Sequence, residues 1–427
     1  MLRRTLLVAL LLHPVVDGVA GDQKPPDKRA LKKIVPAYLE ADTKGRLAMR
    51  EEFDRDLRTL LPREVKTLRG ELMKLARKEG RRLSGSGRNF FYDEKKKVGK
   101  YIVEGKPSKT LWLGLHGGGV GSGDAGSMAA GMGGGGWWWI FPEVLKKTER
   151  GWTDSGTEEF ILELVEAAKR TGKVDPNKIY VSGHSMGGYG TWSFLSHHPD
   201  IFAGGAAYAG APTMYYKSAG AEELYENIDD VVDGVIPNLF NSRMVVFQST
   251  DDPRVGPGPN QFATERVGDW KKDHPNGFDY KYIEVDDRAH SAPKEGYMPT
   301  QKWVAEHTRV ARPTKIIWQP SLYWKRQFHW IRWEKPTIGA IIQVEATQGN
   351  IIEVTTLRGE PDFSTLSFLL GDPIVDLEQD VIIRIDGEER FRGEVEPTFS
   401  TLLMTLPRYD DELLFHARAE PSPPPPQ

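Results

Sequence analysis

The chain contains no cysteine. Disulfides, a thiolate nucleophile and zinc sites built on thiolates are therefore excluded. Net charge is also scarce: 57 Lys and Arg stand against 60 Asp and Glu, for a formal −3. The two signs are interspersed, so nothing singles out nucleic acid or an anionic membrane as a partner. No H-E-x-x-H or comparable ligand spacing occurs, and no metal or other cofactor is expected. Past residue 20 no apolar run is long enough for a membrane helix. What remains is 427 residues, 39% of them hydrophobic. That is enough for two folded units with appendages.

The one sustained apolar run lies at the start. Leu2-Arg3-Arg4 is followed by Thr5 to Leu12, continued to Val16, with small residues at Gly18 and Ala20. This is the pattern of a signal peptide over residues 1–20, and it predicts a secreted or periplasmic protein. Residues 21–84 read as a polar linker and then a helical extension. Met49, Phe53, Leu57 and Leu60, and after Pro62 the set Val65, Leu68, Leu72 and Leu75, recur at helical steps. Their expected role is packing on the main domain.

Strand and helix patterns alternate from about residue 110 to 305, within a unit placed at 85–310. That alternation predicts an α/β fold, a doubly wound and mainly parallel sheet. Residues 311–335 form a Trp-rich connector, with Trp318, Trp324, Trp330 and Trp333. They are expected to pack between domains or, secondarily, to offer a sugar-stacking face. From 336 to 420 short strands and turns, including Asp386-Gly387, predict a small β-sandwich. Residues 421–427 are a disordered Pro-rich tail.

The centre of the chain is Gly183-His184-Ser185-Met186-Gly187, a G-x-S-x-G turn between the β-favouring Lys178 to Val181 and a helical stretch from Tyr189 to His198. Such an elbow lifts a serine hydroxyl clear of a sheet, and small residues let strand and helix approach closely. A second glycine-rich turn, His116-Gly117-Gly118-Gly119, ends the strand Thr110 to Leu115. Its N–H groups can face an oxyanion. Gly118 with Met186 is the expected pair, and Gly117 is an alternative to Gly118.

A nucleophilic serine needs a base, and the base needs an acid to hold its tautomer. His290 follows a late strand, Tyr280 to Val285, and Asp252 follows Met244 to Ser249. Both satisfy the order Ser, Asp, His, with Asp251 as the rival acid. Between the two glycine turns lies Trp137-Trp138-Trp139. These residues are read either as a lid touching substrate or as buried core anchors.

On the quoted motifs, residues 110–305 resemble the α/β-hydrolase superfamily, in particular secreted carboxylesterases and the dienelactone-hydrolase and prolyl-oligopeptidase-like catalytic domains. The resemblance implies a serine-ester or serine-peptide mechanism without a cofactor. It also implies a small-molecule or glycan ester as substrate. A prolyl oligopeptidase proper carries a β-propeller ahead of this domain, and the residues available here cannot make one. The peptidase is therefore the alternative to the esterase. A non-enzymatic alternative is a polysaccharide- or surface-binding protein, in which the C-terminal domain makes a carbohydrate or cell-surface contact.

Overall fold

A computed structural model describes residues 21–83, 87–92, 97–118, 123–148, 151–154, 156–210, 212 and 235–422. The expected signal peptide, Gly119, residues 213–234 and most of the Pro-rich tail lie outside the described residues.

Three helices open the described chain: α1 (Lys28–Glu40), α2 (Thr43–Asp56) and α3 (Pro62–Ala76). The polar composition before residue 44 suggests a linker, yet Leu31, Ile34, Val35 and Tyr38 make a buried helical stripe there. The Asp27 carboxylate caps α1 by accepting from the N–H groups of Arg29 and Ala30 at 2.9 and 2.8 Å. The Pro62 ring occupies the first turn of α3, where no N–H is missed. Contrary to expectation, these helices share their core with the far end of the chain. Phe399, Leu402 and Leu403, on a helix at Phe399–Thr405, join Leu31, Phe53, Val65 and Leu72 in one cluster. Phe53 meets Phe399 edge to face at 5.1 Å.

The central sheet has eight strands: β1 (Gly87–Tyr92), β2 (Lys97–Glu104), β3 (Leu111–Leu115), β4 (Trp138–Pro142), β5 (Ile179–His184), β6 (Gly204–Tyr208), β7 (Arg243–Ser249) and β8 (Asp279–Val285). Their order is β1-β2-β4-β3-β5-β6-β7-β8. In that order the strands from β4 to β8 run parallel, β2 runs against them, and β1 pairs antiparallel with β2. The fold is thus a mainly parallel α/β sheet, as expected.

Strand periodicity sorts side chains onto two faces. Leu111, Leu113 and Leu115 join one core with helices α5 (Thr157–Lys169), α6 (Met186–His197) and α7 (Gly258–Asp273). Trp112, Tyr180, Val245 and Phe247 join the opposite core with α4 (Ala125–Met132) and α8 (Met298–Ala305). Helix α4 arises inside the glycine-rich stretch, where no element is legible, because Ala125, Met128, Ala129 and Met132 supply a buried stripe.

The same alternation corrects the lid reading. Trp138 and Trp139 are 2% and 1% exposed and point into opposite cores from β4. Trp137 stacks near Trp112 at 5.3 Å. All three stand at or just before the start of β4, whereas the serine turn follows the end of β5, which runs parallel to β4 on the other side of β3. Trp138 and Trp139 are core anchors, and the half-buried Trp137 packs against the core that holds Trp139, all at the end of the strands opposite the serine turn.

The C-terminal unit packs a five-stranded sheet against a four-stranded one around a single apolar cluster. Residues 315–333 are part of it and not a connector. Strand β9 (Lys315–Trp318) pairs with β11 (Ile341–Thr347), and β10 (Ile331–Trp333) pairs with β12 (Leu366–Leu370). Trp318, Trp330 and Trp333 are at most 1% exposed, so they fill the sandwich core and present no sugar-stacking face.

A buried polar network joins this unit to the central sheet. The Asp200 carboxylate takes Lys325 at 2.8 Å and Arg408 at 2.7 Å, while Arg309 meets Asp410 at 2.6 Å. His198 contacts Glu158 at 2.7 Å. Asp200, Lys325, Arg309 and Asp410 are almost wholly out of water, so each depends on its partner. Replacing Arg309 by Met strands Asp410. The expected cost is about 3–5 kcal/mol, read as a lower urea midpoint.

Burial holds the imidazoles of His198, His329 and His416 down at about 4, against an ordinary 6.5. Between those values the unfolded chain binds protons that the native chain refuses. Stability is therefore lost as pH falls through this window. Glu158, held low despite its burial by hydrogen bonds from His197 and His198, pushes in the same direction at lower pH. The melting temperature should drop between pH 7 and pH 4.5 at fixed ionic strength. A flat profile would contradict the assignment of these rings as buried and neutral.

Candidate active site

Ser185 sits between β5 and α6 with φ 60° and ψ −123°. A non-glycine residue holds such a conformation only when its surroundings over-determine it. Here they do. The Ser185 N–H donates to the Tyr208 carbonyl at 2.8 Å, and its carbonyl accepts from the Tyr189 N–H at 3.1 Å. The flanking glycines are packed backbone to backbone. A Cβ on Gly183 would lie 2.2 Å from the Gly187 oxygen, and one on Gly187 would lie 2.0 Å from the Leu115 oxygen. Any side chain there would push the elbow off the sheet.

Asp252 follows β7 and His290 follows β8, so both stand at the same end of the parallel strands as Ser185. The His290 Nε2 lies 2.9 Å from Ser185 Oγ, and its Nδ1 lies 2.7 Å from Asp252 Oδ2. With Nδ1–H donating to the carboxylate, Nε2 is left as an acceptor facing the hydroxyl. The Asp252 side chain is fully buried. Its other oxygen accepts from the N–H groups of Arg254 and Val255 at 2.8 and 3.0 Å, which fixes the carboxylate plane. Behind this turn the buried Gln248 donates to the Val255 carbonyl at 2.8 Å and accepts from Asn260 at 2.9 Å.

Asp251 points elsewhere. Its carboxylate accepts from Ser249 Oγ and, at 2.8 Å, from the N–H of Ala289. Ser249 Oγ in turn accepts from the Arg288 N–H at 3.1 Å. The two adjacent acids thus divide the work: one meets the imidazole, and the other ties down the loop that carries it. Ala289 itself has φ 46°, and the tether holds the residue beside it. The sequence offered Asp251 only as a competitor for Asp252. Its tethering role depends on a residue 38 positions away and leaves no local pattern.

The second glycine turn lies against the elbow. A Cβ on Gly117 would come 2.8 Å from the His184 oxygen and 3.1 Å from Ser185 Cβ, and Gly118 has φ +76°. Met186, whose N–H opens α6, stands beside the same serine. His116 fastens this turn from below. Its Nδ1 lies 2.9 Å from the Gly117 carbonyl, and its Nε2 accepts from the Val144 N–H at 3.2 Å. Its own carbonyl accepts from the Trp152 indole at 3.1 Å. Burial lowers the affinity of this ring for a second proton, which suits an Nδ1–H tautomer with both nitrogens engaged.

His184 is a further imidazole at the site, with its ring 4.9 Å from that of His290. Burial, followed by repulsion from His290, pushes it down to about 4. It stays neutral at pH 7 and adds no charge beside the reacting hydroxyl.

A sequence model of the prolyl oligopeptidase family matches residues 131–301, less than half of the chain. A poly(3-hydroxyalkanoate) depolymerase of Paucimonas lemoignei is 39% identical over 59 residues, 14% of this chain and 14% of that protein. Among solved structures, a thermostable esterase is similar at 19% identity and TM-score 0.35, over 52% of this chain and 63% of that one. Dipeptidyl peptidase 4 of Porphyromonas gingivalis is similar at 14% identity and TM-score 0.39, over 59% and 38% respectively. An acetyl xylan esterase from Aspergillus awamori is similar at 12% identity and TM-score 0.37, over 51% and 97%. The chain spans less than two thirds of the depolymerase and of the thermostable esterase. By its match over residues 131–301 and its own mainly parallel sheet with the Ser185 elbow, the central unit of this chain is similar to the hydrolases of the α/β-hydrolase superfamily.

Proposed function

We propose that this chain is a secreted serine hydrolase that cleaves carboxylic esters, with Ser185, His290 and Asp252 as its catalytic triad. The observation that carries this reading is the continuous relay from Ser185 Oγ through both imidazole nitrogens to Asp252, at 2.9 and 2.7 Å. Ser185 Oγ attacks the acyl carbon while His290 Nε2 takes the hydroxyl proton. The carbonyl oxygen becomes an oxyanion, stabilised by the N–H groups of Met186 and Gly118. The Met186 N–H is one of the four that an α-helix leaves unpaired at its N-terminus, where the dipole favours negative charge. His290 then protonates the departing alkoxide, leaving an acyl-Ser185. Water, deprotonated by the same nitrogen, attacks that ester, and the acid leaves as the serine proton returns. No cofactor enters these steps.

The ester assignment is supported by the depolymerase relative, whose named substrate is a polyester. The family match over 131–301 favours a second reading, a serine peptidase acting on amides. Export rests on the signal-like pattern of residues 1–20.

A panel of p-nitrophenyl esters, acetylated and feruloylated glycans and peptide amides separates the two readings. Hydrolysis of esters with inert amides is the expected result. Ser185→Ala should lower kcat by at least about 10⁴-fold with unchanged circular dichroism. Retained turnover would remove Ser185 from the mechanism. Asp251→Ala should loosen the loop of His290 and lower kcat by about 10- to 100-fold with little change in KM, because the imidazole is misplaced and not lost. An effect as large as that of Asp252→Ala would mean that Asp251 is part of the relay.

A further inference from the structure

We propose that the cavity where the N-terminal helices, the hydrolytic unit and the β-sandwich meet is a binding site for an organic phosphate or sulfate monoester. This cavity of about 410 Å³ lies at the opposite end of the sheet from Ser185. Helix α6 leads from Ser185 to His198 on the cavity wall, and its 12 residues span about 18 Å.

The walls carry Arg46, Arg50, Lys325, Arg326, Arg332 and Arg408, and no carboxylate. The carboxylates that touch these cations are two. Asp200 is shared by Lys325 and Arg408, and Glu334 by Arg326 and Arg332. Arg46 spends its guanidinium on the backbone carbonyls of Tyr38 and Leu39, at 3.0 and 2.6 Å. Arg50 has neither an ion pair nor a hydrogen bond among the described residues, and its Nε is buried without a partner. The Nε of Arg408 is buried and unpartnered as well.

A solvated basic face would send its side chains outward. Here Arg46, Arg50 and Arg332, from two separate units, line one cavity with the buried Tyr38, and the Arg46 guanidinium lies 5.6 Å from the centre of the Tyr38 ring. An unpaired buried donor is costly, and an oxyanion removes that cost at several donors at once. Guanidinium groups match the geometry of phosphate and sulfate oxygens in paired hydrogen bonds. The volume exceeds what an inorganic ion fills and falls in the range of small-ligand sites. Trp324 is half-buried on the wall, tilted at 32° over His198, and offers an apolar plane for the organic part.

Titration calorimetry on the full chain tests this with phenyl phosphate, glucose 6-phosphate, glucose 6-sulfate, glucuronate, glucose and inorganic phosphate. The expected result is saturable one-to-one binding of at least one monoester, with none for glucose. Inorganic phosphate and glucuronate should bind at least tenfold more weakly. Arg50→Gln should weaken that binding tenfold or more and leave p-nitrophenyl ester hydrolysis unchanged, since Arg50 is remote from Ser185. Arg326→Gln, on a more exposed side chain, serves as a second variant and should weaken it in the same direction. The proposal is overturned if no monoester binds, if inorganic phosphate or glucuronate binds as tightly, or if both variants keep the wild-type affinity.

Discussion

A serine backbone at φ 60° is the constraint on which the site is built. That conformation costs of order 1–3 kcal/mol, and only contacts beyond the residue can hold it. They come from three strands. Tyr208 at the end of β6 accepts the serine N–H, Leu115 at the end of β3 presses on Gly187, and His184 closes β5. The elbow therefore exists only once the parallel sheet has formed, and it fixes where the hydroxyl emerges. The histidine and aspartate loops are then placed by ordinary means, hydrogen bonds from Asp252 to its own turn and from Asp251 to the next one.

Legibility in the sequence followed how local each signal was. The G-x-S-x-G turn, the H-G-G-G turn and the strands before Asp252 and His290 each occupy fewer than ten residues, so their type and order could be read directly. The tryptophan run could not. Period-two alternation sends Trp138 and Trp139 into opposite cores, but a buried strand of consecutive aromatics looks the same as an exposed cluster until its neighbours are known. Residues 28–40 misled for a different reason. Their apolar stripe is sound, but Pro36 and a basic face obscure it, and it packs on α3 and α2 in a cluster completed by a helix more than 350 positions away. Residues 315–333 read as a linker because strands of two to four residues carry too little periodicity to announce themselves.

The same non-locality explains how the appendages attach. The sandwich does not hang on a flexible tether. Its Lys325 and Arg408 reach Asp200 in the central unit, Arg309 bonds both the Asp200 carbonyl and Asp410, and the sandwich's last helix shares an apolar core with the first helices of the described chain. Such buried ion pairs contribute little net stability against an apolar replacement, yet each strongly penalises separation of the surfaces that carry its two halves. They act as registration pins: Asp200 is satisfied only when Lys325 and Arg408 arrive together.

That arrangement has a consequence for the basic cavity. Its walls come from the N-terminal helices, the hydrolytic unit and the sandwich, so the unmatched charge of Arg46 and Arg50 opposes the closure that Asp200 favours. An anion held there relieves repulsion across all three surfaces at once and tightens their junction without touching Ser185. Binding and junction stability are then two readings of one free energy, because a ligand that prefers the closed arrangement stabilises it by the amount of that preference.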